Sequence, residues 1–80
     1  MPIVLRIGHC KFFFYSNEGA PTKAPHIHVR GSGGEAKLSL KPPCEVIEST
    51  GYTSSNLRTI RNLVYENRIM LTEAYHEYFS

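Results

Sequence analysis

The hydrophobic period of this chain changes once. Up to Leu40 apolar residues alternate with polar ones, and from Leu57 onward they recur every three or four positions. A period of two belongs to half-buried strands, and a period near 3.6 to an amphipathic helix. The switch falls after Pro42-Pro43, which ends any strand before it. A chain patterned this way folds as strands first and helix second, an α+β arrangement. With 80 residues there is chain for only one domain, because neither half alone could bury a core.

Ile3, Leu5 and Ile7 alternate with Val4 and Arg6 up to a turn at Gly8-His9. Lys11 to Ser16 reads KFFFYS, rich in the aromatic residues that favour a pleated surface, and runs into the turn-rich Ser16-Asn17-Glu18-Gly19. Gly19, Pro21 and Pro25 make 17–25 a loop, and Pro25 biases Ala24 toward an extended backbone. His26 to Arg30 alternates strictly, Gly31-Ser32-Gly33-Gly34 is a hairpin turn, and Glu35 to Leu40 alternates again. The pattern predicts a four-stranded antiparallel sheet over 2–41, a linker over 42–52, and one long C-terminal helix over 53–79 packed on one face.

Thr53 is placed to cap that helix, with Asn56 completing a capping box. Leu57, Ile60, Leu63, Val64, Met70, Leu71, Ala74, Tyr75 and Tyr78 share roughly 140° of its surface. Asn67 falls inside that arc, where its amide needs partners; tying the helix to a loop or strand end would supply them. A helix over 53–79 would run about 39 Å, against a four-stranded sheet under about 20 Å wide. One end should therefore overhang unless the helix bends or breaks. Tyr65, Ile69 and His76 form a second stripe opposite the first and are the candidate partner-binding residues.

Alternation also assigns the faces of the sheet. Ile3, Leu5, Ile7, Phe12, Phe14, Ile27, Val29, Ala36, Leu38 and Leu40 are expected beneath the helix. The other face then presents Arg6, Lys11, Phe13, Tyr15, His26, His28, Arg30 and Lys37. Cations interleaved with aromatic rings suit single-stranded nucleic acid, since charges neutralise phosphates and rings stack on bases. A protein partner or a second copy covering Phe13 and Tyr15 is the competing reading. The net charge of +2 supports a division of labour: residues 1–41 carry six Lys or Arg against two Glu, and 42–80 carry three against five.

His26 and His28 share one face, with Cα atoms about 6.5–7 Å apart. Imidazole titrates near neutrality, so such a pair can supply both general base and general acid. Metal-independent RNA cleavage asks for that pair plus a cation on the phosphate, a role open to Arg30 and Lys37. The same His-x-His unit can offer two metal ligands, with His9, Cys10, Cys44 and Glu18 as the remaining candidates, but His9 and Cys10 are adjacent and point to opposite faces. The third reading is structural, with both rings packed. No metal and no cofactor is expected.

Cys10 and Cys44, the only cysteines, lack CxxC context and read as small packing residues in a reducing cytoplasm. No apolar run approaches the roughly 18–20 residues of a membrane span, and MPIVLRIGH is too short and regular for a signal peptide.

The runs VLRIG, FFFYSNE, APHIHVR and EAKLSL, with ENR and EYF late in the chain, resemble the bacterial family called domain of unknown function 4160 over residues 3–79. The matching residues are Phe13, Phe14, Tyr15, Ser16, Asn17, Glu18, Pro25, His26, His28, Val29, Glu66, Asn67 and Arg68. The resemblance implies a small cytoplasmic protein whose gene lies beside one for a domain of unknown function 2442 protein, the two regarded as a toxin–antitoxin module. The implied partner is that small protein from the adjacent gene, with a homodimer or hetero-oligomer expected and RNA a further candidate. Two functions stay open: a component that binds or cleaves RNA, as a metal-independent ribonuclease if an enzyme, or a non-enzymatic antitoxin or operator-binding module. His9, Cys10 and the inserted-looking Gly19 to Lys23 depart from the family pattern and weigh against zinc.

Overall fold

The computed structural model describes residues 3–15 and 24–79. The turn at Ser16 to Gly19, the family-pattern residues Ser16, Asn17 and Glu18, and the segment Gly19 to Lys23 lie outside them. Within them the α+β order holds, with one more strand and one more helix than the periodicity suggests. The elements are β1 (Ile3–Ile7), β2 (Cys10–Phe13), β3 (His26–Gly31), β4 (Gly34–Ser39), β5 (Val46–Thr50), α1 (Ser54–Glu66) and α2 (Arg68–Tyr78). The strands form one antiparallel meander in sequence order.

Turn chemistry sets the register. Ser32 and Gly33, at φ +53° and +83°, connect Gly31 to its cross-strand partner Gly34. Two left-handed residues match the twist of the strands they join. Gly8, at φ +58°, plays the corresponding part between Ile7 and Cys10.

The fifth strand occupies the expected linker. Val46 and Thr50 are β-branched and pair with β4, so this stretch completes the sheet instead of crossing to the helix. A tight turn precedes it: the Cys44 amide donates to the Lys41 carbonyl at 2.9 Å, and the Ser39 amide to that of Glu45 at 2.9 Å. The turn drops the Cys44 side chain into the core. Burial pushes its thiol above the ordinary value, against the pull of Arg68 and Arg61.

Both outer strands carry an extra residue. Ile3 pairs with Phe13 but Leu5 with Phe12, leaving Val4 as a bulge; Lys37 pairs with Glu48 but Leu38 with Val46, leaving Ile47. The first bulge moves Ile3 off the face expected for it. Leu5 and Ile7 pack against the core while Ile3, opposite Phe13, is exposed.

The expected single helix breaks at Asn67, whose backbone (φ −105°, ψ 12°) leaves helical geometry. The molecule is only 33 Å along its longest axis, so a straight helix of about 39 Å would overhang it. The Asn67 side chain donates to the Leu63 carbonyl of its own helix at 2.8 Å, rather than tying the helix to a loop or strand. Arg68 donates to the Tyr65 carbonyl at 2.8 Å, adding a side-chain partner at the C-terminal end of α1. At the other end the Thr53–Asn56 capping box forms as expected, with both bonds at 3.1 Å. Ile60, Val64, Leu71 and Tyr75 are buried on Phe12, Phe14, Ile27, Val29, Leu38 and Leu40. Met70 and Tyr78, expected in that arc, are exposed, lying in the first and last turns of α2 while Leu71, Ala74 and Tyr75 between them pack on the core.

Candidate nucleic-acid interface and histidine pair

Cross-strand register places the candidate residues in two adjacent rows on the sheet face away from the core. Arg6 pairs with Lys11, Lys11 with Arg30, and Arg30 with Glu35. In the next row Phe13 pairs with His28, His28 with Lys37, and Lys37 with Glu48. Directly paired residues point to one face, so each row is a line of neighbouring side chains.

Burial separates these residues in a way that alternation did not foresee. Arg6, Lys11 and Arg30 are exposed and Lys37 is half-buried. Phe13 is only 1% exposed, and His26 and His28 6% each. The expected open stacking platform is therefore a packed cluster. Phe13 stacks on His28 with centroids 5.6 Å apart, and Tyr15 meets the His28 ring edge-on at 4.5 Å. The Arg30 guanidinium lies 5.3 Å over the Phe13 ring.

Tyr15, Arg30 and Glu35 close this cluster from above. Arg30 donates to one Glu35 oxygen through Nε at 3.1 Å and Nη2 at 3.0 Å, and Nη2 also donates to the Tyr15 hydroxyl at 3.0 Å. Tyr15 donates to the other Glu35 oxygen at 3.1 Å. Burial, followed by the Glu35 hydrogen bond and charge, raises the Tyr15 pKa above its ordinary value. The hydrogen bond and charge of Glu35 raise that of Arg30.

The two histidines differ. His26 Nδ1 lies 3.2 Å from the Ala24 carbonyl, which can only accept, so this bond requires the proton on Nδ1. The His26 ring sits 5.5 Å from that of His28 and 5.9 Å from that of Tyr75 on α2. His28 lines a shallow depression of about 180 Å³ with Glu35, Lys37, Glu48, Ser49 and Thr50. Sequence reading missed Glu48 and Tyr75. The β-branched run at Val46-Ile47 could have signalled β5 and hence Glu48. No pattern in the chain announced that Tyr75 meets His26.

The candidate partner stripe lies apart from this face. Tyr65, Ile69 and His76 are all exposed, Ile69 at 68%. Arg68 holds its guanidinium 4.1 Å over the Tyr65 ring. Among the described residues no group of three or more His, Cys or Glu could hold a metal ion, and Glu18 is not one of them. No described helix is long and apolar enough to cross a membrane.

Fold and site together define a two-layer domain: a five-stranded meander with helices on one face and a line of cations on the other. The chain belongs to the family described as Domain of unknown function (DUF4160), whose model matches residues 10–76. That match takes in every candidate site residue except Arg6 and the metal-ligand candidate His9. Comparison with curated proteins and with solved structures returns no match.

Proposed function

We propose that this protein is a non-enzymatic component of a bacterial toxin–antitoxin-type module, holding RNA on its sheet face and a small protein partner on its helices. The observation that carries the reading is the split in burial: Arg6, Lys11 and Arg30 reach solvent while His26 and His28 do not. Cations at the surface are open to phosphates, whereas a general acid and base must reach the reacting atoms. Tyr65, Ile69 and His76 support the protein-binding half, being exposed on the opposite layer, so both ligands can be held at once.

The cleaving alternative keeps one observation in its favour, namely that His28 lines the depression beside Lys37. Incubating the protein with total RNA in EDTA separates the two. Binding without turnover supports the proposal; cleavage that disappears in the His26→Ala, His28→Ala double variant replaces it with a ribonuclease. Co-purification with the product of the adjacent gene tests the partner. A complex lost in the Tyr65→Ala, Ile69→Ala variant supports the helix surface, and failure to form any complex counts against it.

A further inference from the structure

We infer that RNA on this face runs across the strands along the Arg6–Lys11–Arg30 row, and that Glu35 is a built-in competitor which a backbone phosphate displaces from Arg30. The inference rests on the RNA-binding reading and adds to it a path and a gate.

The register supplies the path. Three cations stand directly opposite one another on β1, β2 and β3, and like charges in that relation destabilise a sheet. Only Arg30 has a counter-ion: among the described residues Arg6 and Lys11 form no ion pair. An anion crossing the strands relieves the repulsion at both positions and continues toward Arg30.

The geometry at Arg30 supplies the gate. Its guanidinium already grips a carboxylate through two N–H groups. A fork that fits a carboxylate also fits a phosphate. Both members of the pair are substantially exposed, so exchange takes place in water. They are also cross-strand neighbours within one hairpin, so parting them leaves the ladder between β3 and β4 intact. The same arrangement limits what is read. Phe13 is buried and the Tyr15 hydroxyl is engaged on both sides, so the row recognises the sugar–phosphate backbone and not base identity.

Fluorescence anisotropy of a labelled oligouridylate, titrated at several salt concentrations, tests this on the intact chain. Glu35→Gln should tighten binding roughly two- to fivefold and steepen the log–log salt slope by up to about 0.7, as no displaced carboxylate then takes up a cation from solution. The Arg6→Ala, Lys11→Ala double variant should flatten that slope by about 1.4, while Arg58→Ala on α1 leaves it unchanged. Inorganic tripolyphosphate should displace the oligonucleotide. It should also shift the Arg30 Nε–H resonance of the wild-type protein, a readout that needs no variant to fold. If the wild type binds RNA but neither Glu35→Gln nor the double variant alters affinity or slope, the path and gate are wrong and the RNA-binding reading stands. If the wild type binds no RNA, both fall.

Discussion

The two faces of the sheet bury comparable rings by different means. On one, Phe12 and Phe14 lie under aliphatic and aromatic side chains from two helices. On the other, Phe13 is buried to the same degree under an imidazole, a phenol and a guanidinium–carboxylate pair. β3 therefore has four successive residues buried, Ile27 and Val29 in the core and His26 and His28 on the other face. In an antiparallel sheet with helices on one side only, that is unusual. Closing an open face with a thin polar layer lets a small chain bury more apolar surface than its helices can cover, and the layer keeps charge at the surface.

Single substitutions can break or sharpen this contrast. Phe12→Ala should have the largest effect, about 3–5 kcal/mol, enough to remove most of the stability of a domain this size; urea denaturation checks it. Phe13→Ala, in the polar-covered cluster, should cost less, about 2–3 kcal/mol, because the side chains above it can settle into the space. Equal losses at the two positions would make the far face a second core and end the contrast.

Hydroxyl deletions probe the same difference on a finer scale. Tyr52, packed against the core, donates to the Gly31 carbonyl at 2.7 Å, and Tyr52→Phe should cost about 1 kcal/mol in the same assay. Alkaline titration compares the two layers in one experiment. Burial, the larger cause in each case, raises the pKa of both Tyr15 and Tyr52, and burial raises that of Cys44 as well. When the folded pKa is the higher one, the unfolded chain releases its proton first. The stability from these groups is complete below their ordinary values, about 8.5 for Cys and 10 for Tyr, and is lost as pH rises through the folded values. The denaturation midpoint should thus decline once pH passes the ordinary cysteine value and go on declining above about pH 10, and tyrosinate absorbance should lag behind that of free tyrosine. Smallest of all, Tyr15→Phe should change stability by no more than about 0.5 kcal/mol, since its partners stay hydrated. Its melting curve should overlay that of the wild type.

Most of the fold was legible where local rules act alone. Strict alternation in His26 to Arg30, the glycine-rich turn at 31–34 and the Thr53 cap each determine their geometry within a few residues. The family resemblance likewise rested on short contiguous runs, and the family match over 10–76 agrees with it. What escaped depends on distant partners. Val46 to Thr50 is too short to show a period and becomes a strand only because β4 offers a free edge. The break at Asn67 answers to the size of the sheet, which no helical position encodes. At the site, alternation placed His26, His28 and Phe13 on the correct face and misjudged their burial, because Tyr15 folds over His28, Arg30 over Phe13, and Tyr75 of α2 reaches His26.

The extra residues Val4 and Ile47 bear on how this protein behaves in a crowded cell. A meander ends in two rows of unsatisfied backbone groups, each a template on which another chain can add a strand. Here both outer strands are bulged near the same level of the sheet, next to the Phe13–His28–Lys37 row. A bulge breaks the hydrogen-bond spacing an incoming strand must match and twists the edge away from it. Stacking of copies into a continuous ribbon, the first step toward a fibril, is thereby obstructed at both margins, even though Ile47 is 53% exposed on one of them.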